Sequence, residues 1–456
     1  MISKPKNLKD SSLKVYIKTF GCQMNKLDTE LSIGSLTKKG YSFAEDENDA
    51  DVILLNTCSV RDKAEHKVYS QLGSLRSQKE KNPELILGVL GCMAQNEGDK
   101  IFKRMPHVNL VCGTRMFSRL PELLDEISGS NKHVLAIDED GEVNFDRMVT
   151  QRQNRYNAFV SIMRGCDNYC SYCIVPYVRG REFSRTVTDI VDEVKKLADD
   201  GCKEITLLGQ NVNSYGKGLD GKVTLATLLR ELDPIDGIER IHFITSHPKD
   251  MTREILEAVG ELPGVCEYLH MPAQSGSDRI LEKMKRQYTS AHYRELVEMA
   301  RSIVPGIKIA SDFIVGFPGE TEEDFQDTVD LLRDVRCQSS FIFKYSPRTG
   351  TAAMELVDDV IEETKKNRNH ILLELQKKIS TEENMKMHGK SVEILVEGES
   401  KSDAGRLVGR TRQNHIVVFS PPLEVNQAGV SSALSGTLIN VEIADSTDLT
   451  LFGVIK

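Results

Sequence analysis

Apolar runs of seven residues alternate with amphipathic stretches over the first third of the chain. The runs that predict β-strands span 15–21, 51–57 and 85–91. The stretches whose apolar positions recur at helical spacing span 27–39 and 60–80. Because predicted strands and helices alternate, this part of the chain is expected to form a parallel, doubly wound α/β sheet.

Each of these three runs is followed directly by a cysteine, namely Cys22, Cys58 and Cys92. In a parallel sheet the ligand crevice lies beyond the carboxyl ends of the strands, so we expect the three thiols to converge and to hold a metal centre. The alternative is that each cysteine is a small buried hydrophobic residue. Cys112 also follows a short apolar run, at 109–111, and we favour a structural role for it.

Six more apolar runs occupy the middle of the chain, and a helical pattern follows most of them. The runs span 158–165, 204–210, 240–246, 268–274, 308–317 and 339–346. The helical stretches span 188–200, 224–232, 250–261, 277–302 and 321–335. Six strand–helix units are too few to close an eight-stranded barrel. The pattern therefore predicts an open, partial (β/α)6 barrel with its site at the carboxyl ends of the strands.

A cysteine-rich loop follows the first strand of this barrel, and segment 164–173 reads RGCDNYCSYC. Cys166, Cys170 and Cys173 are separated by three and then two residues, and no second C-x-x-C pair follows to complete a four-ligand zinc site. Thiolates at this density bind soft metal centres. An iron–sulfur cluster that is held by three thiolates keeps one iron open for a small molecule.

Polar residues cluster at the predicted carboxyl ends of the barrel strands. From this position alone, we expect contacts to a cofactor or a substrate base from Gln210, Ser246, Gln274 and Asp312. The densest basic group near the cysteine loop is a candidate for contacts to phosphate groups of RNA. It consists of Arg164, Arg179, Arg181 and Arg185.

The last part of the chain begins after a long charged helical stretch at 355–388. Five short runs then predict a small C-terminal β-barrel of the oligonucleotide-binding type. They span 391–397, 405–409, 416–419, 437–444 and 451–454. A second basic group among them can contact an RNA backbone, and it consists of Arg406, Arg410 and Arg412.

The chain length of 456 residues suggests about three domains, which we place at 1–150, 151–385 and 386–456. The net charge of −9 means that any nucleic-acid contact must come from a local basic patch. No run reaches the ~18 apolar residues of a membrane span. The first ten residues lack the apolar core of a secretion signal. Ten cysteines without export indicate metal binding in a reducing cytoplasm rather than disulfides.

The cysteine loop, with the aromatic Tyr172 just before its last cysteine, resembles that of the radical S-adenosylmethionine superfamily. The succession of a three-cysteine domain, a radical domain and a small β module of the TRAM type resembles the methylthiotransferase family over residues 14–454. Segments 18–25, 56–64 and 165–182 are similar to the tRNA-modifying branch of that family.

The resemblance implies two 4Fe–4S clusters with different tasks. One cluster binds and reductively cleaves S-adenosylmethionine, and its ligands are Cys166, Cys170 and Cys173. The auxiliary cluster carries the sulfur, and its ligands are Cys22, Cys58 and Cys92. The deoxyadenosyl radical activates C2 of N(6)-isopentenyladenosine next to the tRNA anticodon, and a second S-adenosylmethionine donates the methyl group. Tyr172 is similar to the aromatic residue that lies against the adenine side of the cofactor.

The partners that the resemblance implies are a tRNA anticodon stem-loop carrying isopentenyladenosine, a flavodoxin- or ferredoxin-like electron donor, and a donor of sulfur or of iron–sulfur clusters. No membrane partner is expected. Three alternatives stay open from the residues. The first is the same chemistry on threonylcarbamoyladenosine of tRNA or on an aspartate of a ribosomal protein. The second is an electron carrier with two clusters, and the third is an RNA-binding protein whose cysteines hold zinc.

Overall fold

The computed structural model describes residues 13–59, 62–128, 132–137, 152, 154–401, 403, 405–421 and 434–455. The chain divides into two compact units. The first comprises Met1–Gln153, Arg164–Asp167 and Cys173–Glu182, and the second comprises Asn154–Met163, Asn168–Tyr172 and Phe183–Lys456. The boundary predicted between residues 150 and 151 lies outside the described residues.

The first unit contains a six-stranded parallel sheet with strand order β2-β1-β3-β4-β5-β6. Its strands are β1 Lys14–Thr19, β2 Ser42–Phe43, β3 Val52–Thr57, β4 Ile86–Gly91, β5 Leu110–Cys112 and β6 Val134–Ala136. Its helices are α1 Gln23–Lys38, α2 Asp62–Lys81, α3 Cys92–Glu97, α4 Lys100–Arg104, α5 Leu120–Ile127 and α6 Val175–Arg179. The predicted parallel sheet is confirmed.

Both faces of this sheet are buried, because apolar residues alternate between two hydrophobic clusters. Leu54 and Leu110 pack into one cluster, whereas Ile53 and Val111 pack into the other. Strands β3 and β4 are buried at every position. Parallel strands that are covered on both faces read as continuous apolar runs, which is why the sequence pattern located them.

The second unit contains six parallel strands that follow one another in chain order. They form two three-stranded sheets, β7-β10-β11 and β12-β13-β14. A hydrogen bond from Ser246 N to His270 O (3.1 Å) links the segment after β11 to β12. The strands are β7 Asn157–Ser161, β10 Glu204–Leu208, β11 Arg240–Phe243, β12 Tyr268–His270, β13 Lys308–Val315 and β14 Ser339–Lys344; two short strands, β8 Met163–Arg164 and β9 Phe183–Ser184, flank the cysteine loop. The predicted partial barrel is confirmed.

The helices of this barrel begin close to the predicted positions, with one exception. They are α7 Val187–Asp199, α8 Leu225–Leu232, α9 Arg253–Glu261, α10 Asp278–Lys283, α11 Ser290–Ile303 and α12 Glu322–Val335. The single helix predicted over 277–302 is wrong. Lys285 and Gln287 have positive φ angles (58° and 60°), which end α10 and separate it from α11. The intervening turn carries Arg286.

The C-terminal part of the second unit is a closed five-stranded barrel with strand order β15-β16-β17-β19-β18, as predicted. It follows the helix α13, Glu362–Met385. Its strands are β15 Ser391–Glu399, β16 Leu407–Thr411, β17 Ile416–Ser420, β18 Leu438–Ser446 and β19 Thr450–Ile455. None of the helices in the described residues has the length and hydropathy needed to cross a membrane.

A buried arginine links strand β11 to the C-terminal barrel. Arg240 is 1% exposed, and it donates hydrogen bonds to Arg410 O (2.7 Å) and to Glu393 Oε1 (2.9 Å). The buried Glu204 carboxylate lies 3.9 Å from the same guanidinium. Removing Arg240 takes away both hydrogen bonds to the C-terminal barrel and leaves His242, at 3.6 Å, as the partner of the buried Glu204. Because a hydrogen bond from a charged group contributes about 1.5–3 kcal/mol, we expect Arg240→Ala to lower the free energy of unfolding by about 3–5 kcal/mol.

Denaturant titration of the purified chain measures this effect. Arg230→Ala is the matched control, because Arg230 forms an exposed ion pair with Glu254. Exposed pairs contribute little, so the control should lose less than about 1 kcal/mol. Equal losses for the two variants would contradict a stabilising role of the buried link.

Candidate iron–sulfur and cofactor site

The three strand-end cysteines of the first unit lie together. Cys22 follows β1 and immediately precedes α1, Cys58 follows β3, and Cys92 opens α3 after β4. A Cβ atom on Gly21 would lie 2.6 Å from Cys58 Cβ, so glycine at this position, with φ +134°, lets the two segments approach. A hydrogen bond between the Cys22 and Cys58 thiols, together with the charge of Arg179, lowers the pKa of Cys22 to about 6.

Cys92 completes this group from a more buried position. It packs against Ile174 and Val178 of the segment that follows the cysteine loop, within the same unit. Burial raises the pKa of Cys92, and the neighbouring charge of Arg179 opposes that shift. The charge of one guanidinium therefore acts on both the Cys22 and the Cys92 thiols, and at Cys92 the effect of burial outweighs it.

Arg179 is held beside the thiols by two polar side chains of α1. Its Nη2 atom donates to Asp28 Oδ2 (2.8 Å) and, at 3.4 Å, to Asn25 Oδ1. Asn25 Oδ1 also accepts a hydrogen bond from Cys22 Sγ (3.4 Å). Arg164 Nη2 lies 3.7 Å from the second oxygen of Asp28. The thiol group thus has a buried, positively charged neighbourhood.

The chemistry of this neighbourhood fits an iron–sulfur cluster. Within the described residues, no three His, Cys, Asp or Glu side chains stand close enough together to hold one ion. In a 4Fe–4S cluster each thiolate binds a different iron, so its ligands need not converge on one point. A donor set of thiols next to a buried cation matches the soft, anionic character of such a cluster.

The cysteine loop divides between the two units. Cys166 and Cys173 belong to the first, and Cys166 N donates to Gly180 O (3.1 Å). Cys170 and Tyr172 belong to the second. There, the Tyr172 side chain packs against the hydrophobic cluster that contains Phe317.

Arg286 is a residue that the sequence analysis did not single out. It is buried, and its Nη1 atom donates to Cys170 Sγ and to Tyr172 Oη, each at 3.4 Å. It also donates to Tyr288 Oη (3.0 Å) and to Pro272 O (3.0 Å). The hydrogen-bond acceptors that we find for it among the described residues are a thiol, two phenols and a carbonyl. A buried guanidinium with these neutral partners has the capacity to neutralise an anion beside Cys170.

Three of the residues predicted to contact a cofactor or a base follow the carboxyl ends of strands in the second unit, whereas Asp312 lies within β13. Ser246 follows β11, and Gln274 N donates to Asp312 O of β13 (2.8 Å). Asp312 Oδ1 lies 3.1 Å from His270 Nε2. Gln210 lies two residues beyond the end of β10, because that strand ends at Leu208 rather than at residue 210.

Four buried polar atoms at this edge lack hydrogen-bond partners within the described part of the chain. They are Asn211 Oδ1, Ser246 Oγ, His247 Nε2 and Gln274 Oε1. Buried polar groups in proteins are normally paired, so a cluster of unpaired ones marks a place for a polar ligand. Burial lowers the pKa of His247, and the nearby charge of Arg286 adds to this effect, so its imidazole stays neutral.

The arginines that were predicted to contact RNA differ in how far their side chains are exposed. Arg164, Arg179 and Arg185 are buried, and Arg185 pairs with Glu193 (2.6 Å). Arg181 is 78% exposed and pairs with Asp167. On the C-terminal barrel, Arg410 pairs with Glu397 and Arg412 with Glu267, whereas Arg406 is more exposed and lies near Asp403. Contact of these side chains with RNA stays a prediction.

Family models match three parts of the chain. Residues 14–113 match the uncharacterized protein family UPF0004, residues 160–332 match the radical SAM superfamily, and residues 385–456 match the TRAM domain.

Among curated proteins, the tRNA-2-methylthio-N(6)-dimethylallyladenosine synthase of Clostridium botulinum (strain Okra / Type B1) is 46% identical over 440 residues, which cover 96% of each chain. The protein of the same name from Thermoanaerobacter pseudethanolicus is 46% identical over 447 residues, which cover 98% of this chain and 93% of that one.

Among solved structures, the radical S-adenosylmethionine methyltransferase TsrM from Kitasatospora setae superposes with a TM-score of 0.56 at 14% identity. The match covers 75% of this chain and 74% of that one. At this level of identity the likeness shows a shared fold.

Proposed function

Because this chain belongs to the family of the tRNA-2-methylthio-N(6)-dimethylallyladenosine synthases, we propose that it transfers a methylthio group to C2 of N(6)-isopentenyladenosine next to the tRNA anticodon. The observation that carries this proposal is the 46% identity over 96% of the chain to a protein of that name. The two separate groups of cysteines fit a reaction that needs one centre for radical generation and another for sulfur.

S-Adenosylmethionine and iron–sulfur clusters are the cofactors of this family. The loop residues that would hold the first cluster are Cys166, Cys170 and Cys173. When bound, this cluster supplies the electron that cleaves S-adenosylmethionine into methionine and the radical that removes an unactivated hydrogen. Acid–base side chains cannot remove such a hydrogen at useful rates. The task of the protein is to place the cofactor, the thiols and the base.

The side chains around Cys170 are suited to that placement. The guanidinium of Arg286 would neutralise negative charge next to the Cys170 sulfur, and its bond to Tyr172 Oη fixes the ring of that tyrosine. The unpaired atoms of Ser246, His247 and Gln274 would donate to, or accept from, the polar groups of a bound cofactor or base. Asp312 is held by His270 at the same edge and could accept hydrogen bonds from ribose hydroxyls or an amino group.

The second cluster would be held by the strand-end thiols Cys22, Cys58 and Cys92 in the first unit. A cluster held by these three thiolates would supply an open iron for the sulfur that is to be methylated and transferred. The hydrogen bond from Cys58 and the neighbouring charge of Arg179 lower the pKa of Cys22 and so favour its thiolate, metal-binding form.

The tRNA is the macromolecular partner in this proposal, and the TRAM domain at residues 385–456 is the candidate for holding it. Arg406 and Arg181 are the exposed arginines that could contact phosphate groups. The same proposal includes two protein partners, an electron donor of the flavodoxin or ferredoxin type and a sulfur donor. It also includes a cytoplasmic location and a division into three domains at 1–150, 151–385 and 386–456.

Arg286→Gln should weaken cofactor cleavage while leaving the chain folded. A hydrogen bond to a charged group contributes about 1.5–3 kcal/mol, so we expect the KM for S-adenosylmethionine to rise roughly ten- to a hundredfold. Arg286→Lys keeps the positive charge but lacks the several N–H donors of a guanidinium. Its KM should therefore lie between those of the unsubstituted protein and of Arg286→Gln. Formation of deoxyadenosine at varied cofactor concentration measures the effect. An unchanged KM in both variants would contradict the role of Arg286 beside Cys170.

The experiment that tests the proposed function compares substrates. Anaerobically reconstituted, full-length protein is incubated with S-adenosylmethionine, reductant and tRNA that lacks only the methylthio group. The tRNA is then digested, and its nucleosides are analysed by mass spectrometry. We expect the methylthio nucleoside from isopentenylated tRNA and none from tRNA that lacks the isopentenyl group. Methylthiolation of threonylcarbamoyladenosine or of a ribosomal-protein aspartate instead would refute the assigned substrate.

A further inference from the structure

Arg179 is a buried arginine next to the strand-end thiols, and its side chain interacts with that of Cys92. It is 3% exposed, and among the described residues its buried Nη1 atom has no partner in good hydrogen-bond geometry. Its Nη2 atom is anchored to Asp28 and Asn25. An unpaired donor at this depth is costly unless a ligand supplies the missing acceptor.

The charge balance around Arg179 points to an anion. Asp28 lies between two guanidiniums, 2.8 Å from Arg179 and 3.7 Å from Arg164. Its one negative charge can neutralise only one of the two positive charges. The carboxylate faces the arginines with both oxygens, while Asn25 Oδ1 connects Arg179 Nη2 to the thiol of Cys22. Arg179 also interacts with the Cys22 and Cys92 thiols, so its guanidinium lies next to cysteine sulfurs as well as next to Asp28.

We propose that Arg179 is a positioning residue of the auxiliary iron–sulfur cluster, and that its Nη1 atom donates a hydrogen bond to a sulfur of that cluster. The proposal rests on the assignment of Cys22, Cys58 and Cys92 as ligands under the proposed function. A fixed positive charge stabilises the more negative, reduced form of the cluster, so Arg179 raises its reduction potential. This gives Arg179 a role at the sulfur-donating centre instead of the RNA contact that its sequence position suggested.

The test uses full-length protein that carries only the auxiliary cluster, made by replacing Cys166, Cys170 and Cys173 with alanine. A redox titration followed by electron paramagnetic resonance gives the potential of that cluster. Arg179→Gln removes the charge and should shift the potential downward, so that the ratio of reduced to oxidised cluster at a fixed solution potential falls about tenfold. Arg179→Lys keeps a charge and should shift it less.

Asp28→Asn provides a change of opposite sign. It removes the negative charge that offsets the two arginines, so the potential of the auxiliary cluster should rise. A purely structural role of the Asp28–Arg179 pair would not move the potential in opposite directions. If Arg179→Gln protein fails to take up iron, the potentials measured for Asp28→Asn and Arg179→Lys test the role of Arg179 instead. Arg76→Gln is the control, because this exposed arginine of the first unit pairs with Glu80 and should leave the potential unchanged.

The protein in which only Cys166, Cys170 and Cys173 are replaced, here called the parent, distinguishes a wrong ligand assignment from a wrong role of Arg179. If the parent binds iron and sulfide and the added Cys22→Ala change abolishes that binding, the auxiliary cluster is established independently of Arg179. An unchanged potential in Arg179→Gln or Asp28→Asn protein with full iron content would then overturn the role of Arg179 alone. A parent that binds no cluster would overturn the ligand assignment, and the proposed role of Arg179 would fall with it.

Discussion

Cys170→Ala is expected to abolish the cleavage of S-adenosylmethionine, with at least roughly a hundredfold loss of deoxyadenosine formation. The residue is one of three thiols in the loop, and two thiolates cannot hold a cluster that keeps a vacant iron for the cofactor. The change also removes the sulfur that Arg286 contacts at 3.4 Å. Iron analysis should show about one cluster fewer per chain. The methylthio nucleoside should disappear with the deoxyadenosine.

Cys202→Ala is the matched control for that variant. Cys202 is equally a buried thiol of the second unit, and its sulfur donates to the backbone carbonyl oxygens of Tyr156 and Glu204. We expect full iron content and unchanged deoxyadenosine formation from it. Retention of cofactor cleavage in Cys170→Ala protein would refute the assignment of the loop as the radical centre.

Cys22→Ala should separate the two halves of the reaction. It removes the thiol that is hydrogen-bonded to Cys58 and lies in the field of Arg179, so the auxiliary cluster loses a ligand. The loop cysteines are untouched, so deoxyadenosine should still form. The methylthio nucleoside should fall below about one per cent of the level formed by the unsubstituted protein, because ligand loss removes the sulfur-carrying centre itself.

Cys112→Ala is the matched control in the first unit. Cys112 is the last residue of β5, and its thiol donates to Gly113 O in a contact within its own segment. Its loss should leave both products unchanged, apart from a small loss of stability. Methylthiolation by Cys22→Ala protein at the rate of the unsubstituted protein would show that the strand-end thiols do not carry the sulfur.

The sequence located the elements whose residues carry continuous or periodic apolar patterns. Strands β3 and β4 are buried on both faces, so their runs were unmistakable, and the cysteines that follow them were found by position. The helix predicted over 277–302 failed because its apolar spacing continues across the turn at Lys285–Gln287. Only the positive φ angles of Lys285 and Gln287 reveal the break.

The residues that shape the candidate site were harder to predict, because they act through contacts between distant segments. Arg179 and Asp28 are 151 residues apart, and no local pattern links them. Arg286 approaches Cys170 from 116 residues away. A cluster of arginines after the cysteine loop suggested phosphate contacts, although burial directs Arg179 and Arg185 toward carboxylates of the protein. The position of an arginine in the sequence does not show whether its side chain is buried or exposed.

The most direct test of the central claim uses S-adenosylmethionine that is deuterated in its methyl group. Reconstituted, reduced protein and isopentenylated tRNA are incubated with it, and nucleosides and cofactor products are quantified together. The account predicts a methylthio nucleoside with a fully deuterated methyl group, accompanied by S-adenosylhomocysteine and by at least one deoxyadenosine for each product. Protein that is replete with clusters but forms deoxyadenosine without any methylthio nucleoside would contradict the account.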